Sequence, residues 1–380
     1  MRWIFLALAV CGNLSGAAQA AEAGKAYPKF AVDPLWPKQL PDNFIMGDLA
    51  GISVDAQDHI WVITRQRTID ERYMGLAKMP PTSVCCRPAP AVIEFDPDGN
   101  FVQGWGGPYT PTDTKADFQW PTHEHGITVD YKGNVWVCGN GKEADKGLDD
   151  NQCLKFSKTG KFLLQIGRSG KSTGSLDTEN VNHPSQVVVW QPTNEVFISD
   201  GYVNRRVAVF DNDTGKFKRM WGAYGKTPDD KASRQRSFEG PAPQQFNLVH
   251  GIKISNDGLV YVSDRQNNRI QVFTLDGKFV KEAFIQRDTR DDQGTAYSAA
   301  FSPDKEQRFL YDADLANFKV RVLDRQSMTE IPEAAFGHAG PYPGQFNQLH
   351  IIATASKGNL YTTEANGARI QKWVYQGLSQ

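Results

Sequence analysis

The chain has 380 residues, 40% of them apolar, and its 42 basic and 43 acidic side chains leave a formal net charge of −1. A chain of this length buries a substantial core, and charges that nearly cancel give no reason to expect a nucleic-acid partner. Residues 1–20 hold one basic side chain, Arg2, an apolar run over 3–10 and then Ala18-Gln19-Ala20. This pattern predicts an export signal cut after Ala20, with a single mature domain over 21–380 in the periplasm or outside the cell. The apolar run is too short to span a bilayer. Lipidation at Cys11 is the competing reading, and it meets a large Val10 at the processing position.

After the leader, residues 27–33 (YPKFAVD) read as an isolated edge strand. Repeated units follow. The first is AGISVDAQDHIWVITR from Ala50, resumed by AVIEFDPDGNFVQGWG from Ala91, and the second is HGITVDYKGNVWVCGN from His125, resumed by CLKFSKTGKFLLQIG from Cys153. The third starts at Pro184, the fourth is HGIKISNDGLVYVSDRQNNRIQVF from His250, the degenerate fifth opens with AAFSPDK at Ala299, and the sixth is HIIATASKGNLYTTEANGARIQKWVY from His350. Alternation such as Ile252, Ile254, Val260, Val262 has the period of strands, and Gly258 in the Asn256-Asp257-Gly258 turn suits a left-handed backbone.

Six units give a mean period of about 60 residues, longer than the roughly 40–50 of common propeller repeats. The excess lies in connections 66–90, 109–124, 226–249 and 286–298, which should gather on one face. Each unit alone would expose apolar surface and sheet edges, and radial closure removes both. The expected fold is therefore an all-β, six-bladed β-propeller in which residues 27–33 supply the strand missing from the last unit. Trp61, Trp136, Phe197, Tyr261 and Tyr361 occupy matching places in the second strands and should pack between blades. Of the four cysteines beyond the leader, Cys138 and Cys153 should face each other, and Cys85 and Cys86 are adjacent. In an oxidising compartment these predict disulfides.

Four of the seven histidines open or precede innermost strands: His125, His183, His250 and His350. Equivalent inner positions converge on a propeller's central channel, so histidines far apart in sequence can meet around one ion. His125, His250 and His350 share similar lead-ins, WPTHEHG, FNLVHG and FNQLHI. Three neutral imidazoles suit zinc and leave a coordination position open. His183 sits one position differently, and His123 and Glu124 are substitutes. Acceptors for the second imidazole nitrogens are expected from Glu124, Asp264 or Glu364.

Second-strand ends bring Arg65, Arg67, Tyr202 and Arg265 towards the same rim, together with the acids Asp200, Asp264, Asp312, Asp314 and Glu364. The acids Asp200, Asp264 and Asp312 are expected to cap turns. Two guanidinium groups facing a metal-lined cavity suit a carboxylate-bearing small molecule or short peptide. Tyr202, near metal and arginine, is expected to have a lowered pKa and act as a base. The sequence contains no GxSxG, GxxxxGK[ST] or HExxH motif, and DNDTG at 211–215 lacks the continuation of a calcium loop.

HGITVD, SDGYVNRRV, HGIKISNDGLVYVSDRQNNRIQVF and LHIIATASKGNLYTTE resemble NHL-type six-bladed propellers, and more closely the peptidyl-alpha-hydroxyglycine alpha-amidating lyase family. The resemblance implies zinc on His125, His250 and His350, Tyr202 as base, and Arg265 with Arg65 or Arg67 on the substrate carboxylate. The implied reaction splits the C–N bond of a carbinolamide to give an amide and glyoxylate, with a separate oxidase supplying the substrate. The family's structural calcium uses an aspartate where this chain has Ile351, which argues against calcium here. Two other readings remain: metal-assisted hydrolysis, such as lactone opening, and a non-catalytic NHL propeller binding a protein or cell-envelope component.

Overall fold

The computed structural model describes residues 26–109 and 117–379. The export signal and Cys11 lie outside the described residues. Six four-stranded antiparallel sheets form the blades of an all-β propeller. Blade 1 uses Asp48–Val54, Ile60–Arg65, Val92–Phe95 and Phe101–Trp105, and blade 2 uses Glu124–Val129, Val135–Gly139, Gln152–Phe156 and Phe162–Gly167. Blade 3 uses Pro184–Trp190, Glu195–Asp200, Arg206–Asp211 and Phe217–Trp221, and blade 4 uses Val249–Ile254, Val260–Asp264, Arg269–Phe273 and Phe279–Phe284. Blade 5 uses Ala299–Phe301, Phe309–Asp314, Lys319–Asp324 and the two-residue Thr329–Glu330. Blade 6 combines Leu349–Thr354, Leu360–Glu364 and Ile370–Leu378 with Pro28–Asp33 from the other end of the chain.

That closure follows the sequence expectation. Ala31 pairs with Val374 and Val32 with Trp373, so an otherwise bare sheet edge is hydrogen-bonded. The core is six apolar clusters, each straddling two adjacent blades. Trp61 lies with Ile127 and Val137, Trp136 with Val187 and Val196, and Phe197 with Ile252 and Val260. Tyr261 lies with Ala299 and Leu310, and Tyr361 with Ile52 and Val62. Tyr311 fills the same place in blade 5, completing a ring of aromatics.

Cys138 stands opposite Cys153 in blade 2 and is disulfide-bonded to it, and Cys85 is bonded to Cys86. Antiparallel order puts the strand 2–3 connections and the blade-to-blade connections at one end of the ring. There Arg236, from the 226–249 connection, donates to Gln266 O at 2.7 Å and to Asp291 O at 2.5 Å, tying three loops together.

One irregularity recurs where the first strands begin. Pairing with the second strand skips a residue between Leu49 and Gly51, Glu124 and Gly126, Pro184 and Gln186, Val249 and Gly251, and Leu349 and Ile351. The skipped residues are Ala50, His125, Ser185, His250 and His350. Such a bulge re-aims the side chain, here towards the central channel. The glycine that follows has a packing reason: a Cβ on Gly126 would lie 2.2 Å from Ser185 O, and one on Gly251 would lie 2.8 Å from Tyr297 O. At these two stations the next blade's backbone stands where a Cβ would be.

Candidate metal centre

His125, His250 and His350 meet in the channel. Their ring centroids are 4.9 Å (125–250), 4.8 Å (125–350) and 4.9 Å (250–350) apart. All three are buried, and one ligand nitrogen from each lies within 4.8 Å of the others. They come from blades 2, 4 and 6, so the bulge places an imidazole at every second station of the ring.

Their other nitrogens do not reach carboxylates. His125 Nδ1 lies 2.8 Å from Ser185 O, His250 Nδ1 2.7 Å from Tyr297 O and His350 Nδ1 2.7 Å from Ala50 O. In each case the partner is the next blade's backbone where its first strand begins. This corrects the expectation for Glu124, Asp264 and Glu364. Asp264 and Glu364 lie on second strands opposite Val249 and Leu349, and they bond Arg269 at 2.9 Å and Arg369 at 2.7 Å. Glu124, one residue before the bulge, accepts from Trp120 Nε1 at 2.7 Å.

A carbonyl can only accept, so each Nδ1 carries the proton and each Nε2 offers a lone pair. Tyr202 Oη is 2.9 Å from His125 Nε2 and 3.2 Å from His250 Nε2, and its single proton can serve one of them. At least two of the three converging lone pairs therefore lack a hydrogen-bond donor, and together they form the ligand set a cation fits. Burial, reinforced by the neighbouring histidines and arginines, holds the imidazoles neutral: His125 and His250 fall well below their usual value and His350 to about 3. Neutral imidazole is the ligating form.

Tyr202 departs from expectation in its acidity. Burial pushes the phenol up, and the opposing pulls of Arg265 and Arg65 do not overcome it. Arg265 donates to Tyr202 Oη at 3.3 Å and is fixed by Gln293, whose backbone oxygen lies 2.6 Å from Nε. Its guanidinium sits 4.3 Å from the centroid of the Tyr297 ring, which is itself 4.7 Å from His250. Tyr297 and Gln293 were not among the sequence candidates. Tyr297 precedes the first strand of blade 5, and its amide bonds Ala313 O at 3.2 Å while Ser298 O accepts from Ala313 N at 2.9 Å. This is the station that histidine holds in blades 2, 4 and 6. Aligning blade 5 on Tyr311 instead of on its apolar run would have shown it.

Arg65 and Arg67 take different partners. Arg65 is 8% exposed, donates to Glu124 O at 2.9 Å and interacts electrostatically with Tyr202. Arg67 donates to Pro121 O at 3.2 Å, and both arginines line a side cavity of about 260 Å³ with His123, Thr122 and Lys142. His183 lies apart from the triad, with Nε2 2.5 Å from Asp149 Oδ1.

The recurring acids do more than cap turns. Asp200, Asp264 and Asp314 each bond an arginine of the following strand, Arg206 at 2.8 Å, Arg269 at 2.9 Å and Arg321 at 2.9 Å. Asp312 neither caps nor pairs: both its buried oxygens lack partners, and burial with Asp314 nearby raises its pKa well above the usual range.

An NHL repeat family model matches residues 246–273. Peptidyl-glycine alpha-amidating monooxygenase A of Xenopus laevis is 29% identical over 257 residues, covering 66% of this chain and 24% of that protein. This chain thus spans about a quarter of that relative's length. NHL repeat-containing protein 3 of Homo sapiens is 26% identical over 75% of this chain and 73% of its own length. Peptidyl-alpha-hydroxyglycine alpha-amidating lyase 1 of Drosophila melanogaster is 24% identical over 94% of this chain and 62% of its own length. The chain is an all-β, six-bladed propeller that carries an NHL repeat and is similar in sequence to amidating lyases.

Proposed function

We propose that this protein is an exported zinc-dependent lyase that cleaves the C–N bond of a peptidyl-alpha-hydroxyglycine or a related small carbinolamide. The observation that carries the reading is the set of three neutral imidazoles, anchored on backbone carbonyls, whose free nitrogens converge beside Tyr202 and Arg265. His125, His250 and His350 would hold the ion, which when bound supplies Lewis-acid polarisation of a substrate oxygen. Arg265 and Arg65 hold the substrate carboxylate, and Tyr202, as the phenolate that a cation held by the histidines would stabilise together with the two guanidinium groups, accepts the proton of the carbinolamide hydroxyl. The electrons of that O–H bond form the aldehyde carbonyl, the C–N bond breaks, and the departing nitrogen takes a proton. The products are a peptide amide and glyoxylate. A separate oxidase that hydroxylates the glycine α-carbon would supply the substrate, and the disulfides suit an oxidising compartment after removal of residues 1–20.

The same open coordination position would also suit a metal-bound water, so lactone hydrolysis is the second reading. One experiment separates the two. Protein purified without chelator should contain about one zinc per chain, lost on replacing the three histidines with alanine. It should release glyoxylate from an alpha-hydroxyglycine peptide, and Tyr202→Phe should lose that activity while keeping the metal. Lactone opening by metal-replete protein that releases no glyoxylate would establish the hydrolase instead.

A further inference from the structure

The two arginines beside Tyr202 occupy one station of the repeat. In blade 1 Arg65 pairs with Asp48, and in blade 4 Arg265 N donates to Leu248 O at 3.0 Å. Asp48 and Leu248 stand two residues before the bulged Ala50 and His250, and the residue so placed before His125 in blade 2 is His123. Its carbonyl accepts from Asn140 N at 3.0 Å. Asn140 therefore holds in blade 2 the position that Arg65 and Arg265 hold in blades 1 and 4. Blade 6 has Ala365 there, with its amide 3.0 Å from Gln348 O, so the fold itself does not require a polar side chain at this station.

Asn140 reaches the same phenol as the arginines, with its carboxamide nitrogen facing Tyr202. The oxygen of that carboxamide is enclosed and accepts no hydrogen bond among the described residues. The nearest guanidinium groups are anchored on backbone: Arg65 Nε donates to Glu124 O at 2.9 Å and Arg265 Nε to Gln293 O at 2.6 Å. An enclosed amide oxygen without a donor is costly, and a ligand that brings one removes the cost.

We propose that Asn140 is a substrate-recognition residue whose Oδ1 accepts the amide N–H of the substrate, making the site selective for a secondary amide over an ester. The inference rests on the carbinolamide reading above and adds a residue to it. Such a substrate presents a carboxylate, which takes donors, a hydroxyl, whose proton goes to Tyr202, and one amide N–H, which needs an acceptor. Arg65 and Arg265 can only donate. Asn140 Oδ1 supplies the missing acceptor, from the same station and beside the same phenol. A lactone or other ester has no such N–H and would leave the oxygen unpaired, and a site built to pair a substrate N–H rejects the analogue that lacks it.

The test is calorimetric binding of two unreactive ligands to the zinc-loaded whole protein. One is N-acetyl-phenylalanyl-glycine, and the other is N-acetyl-phenylalanyl-glycolate, in which an ester oxygen replaces the glycine N–H. The parent is expected to bind the glycine ligand about two- to tenfold more tightly. Asn140→Leu should bring that ratio close to its value for the ligands' intrinsic difference, near one, with unchanged zinc content. Asn140→Asp keeps an acceptor oxygen and should keep the parent's ratio while weakening both ligands through its charge. Equal binding of the two ligands by the parent, no binding of either, or a parent-like ratio in Asn140→Leu overturns the proposal, as does loss of the ratio in Asn140→Asp. Glyoxylate release is measured separately, so a parent that discriminates between the ligands but releases none from an alpha-hydroxyglycine peptide overturns the lyase reading and upholds the amide-recognising role of Asn140.

Discussion

The histidine–glycine pair in HGITVD and HGIKIS links two requirements at adjacent residues. The bulge turns His125 inward, and the missing Cβ at Gly126 lets Ser185 O approach to 2.8 Å from its Nδ1. Gly126→Ala would set a methyl group 2.2 Å from that oxygen, so the blades must separate or the strand shift. The expected cost is about 1–3 kcal/mol in urea unfolding, with reduced zinc per chain by elemental analysis. Tyr297 acts through Arg265, whose guanidinium lies on its ring. Tyr297→Leu should weaken substrate binding by about 0.5–1 kcal/mol, raising KM more than it lowers kcat. The convergence of His125, His250 and His350 was legible in the sequence because a repeat maps equivalent positions to equivalent places. Their carbonyl partners were not, since they lie 60, 47 and 300 residues away and depend on how closely neighbouring blades approach.

The strand-level pattern is an aromatic at the second or third residue of each blade's second strand, packed against the following blade. Trp136 is fully buried among residues of blades 2 and 3, and Trp136→Ala should cost about 3–5 kcal/mol, read as a lower midpoint in denaturant. The outer strands contribute differently. Glu195 accepts from both terminal nitrogens of Arg219 at 2.8 Å, and this, with further hydrogen bonds, holds its carboxyl at about 2, below the usual 4.5. A lowered folded-state pKa means stability that is full above the unfolded value and lost as pH falls towards the folded one. Glu195→Gln should therefore flatten part of the fall in melting temperature between roughly pH 4.5 and 2 and leave that interval otherwise steeper in the parent. The strands themselves were readable from period-two alternation. The register of blade 5 was not, because its final strand is two residues long and its opening station holds Tyr297 instead of histidine.

For the molecule as a whole, closure joins residues near opposite ends of the chain. Starting the chain after Asp33 would remove the partner of Ile370–Leu378, expose a sheet edge and uncover Phe30's contacts with Tyr311 and Phe336. The expected outcome is a broadened, earlier thermal transition and association on size-exclusion chromatography, as bare edges recruit other strands. Sequence alone determined the repeat, the number of blades, the closing strand and the convergence of three histidines with Tyr202 and Arg265, because alternation and equivalence are properties of the linear order. Tertiary structure decided which atoms meet: backbone carbonyls instead of carboxylates on the imidazoles, and Arg65 instead of Arg67 beside Tyr202. Those outcomes depend on bulges, interblade spacing and burial, which arise only when the six sheets close around one axis.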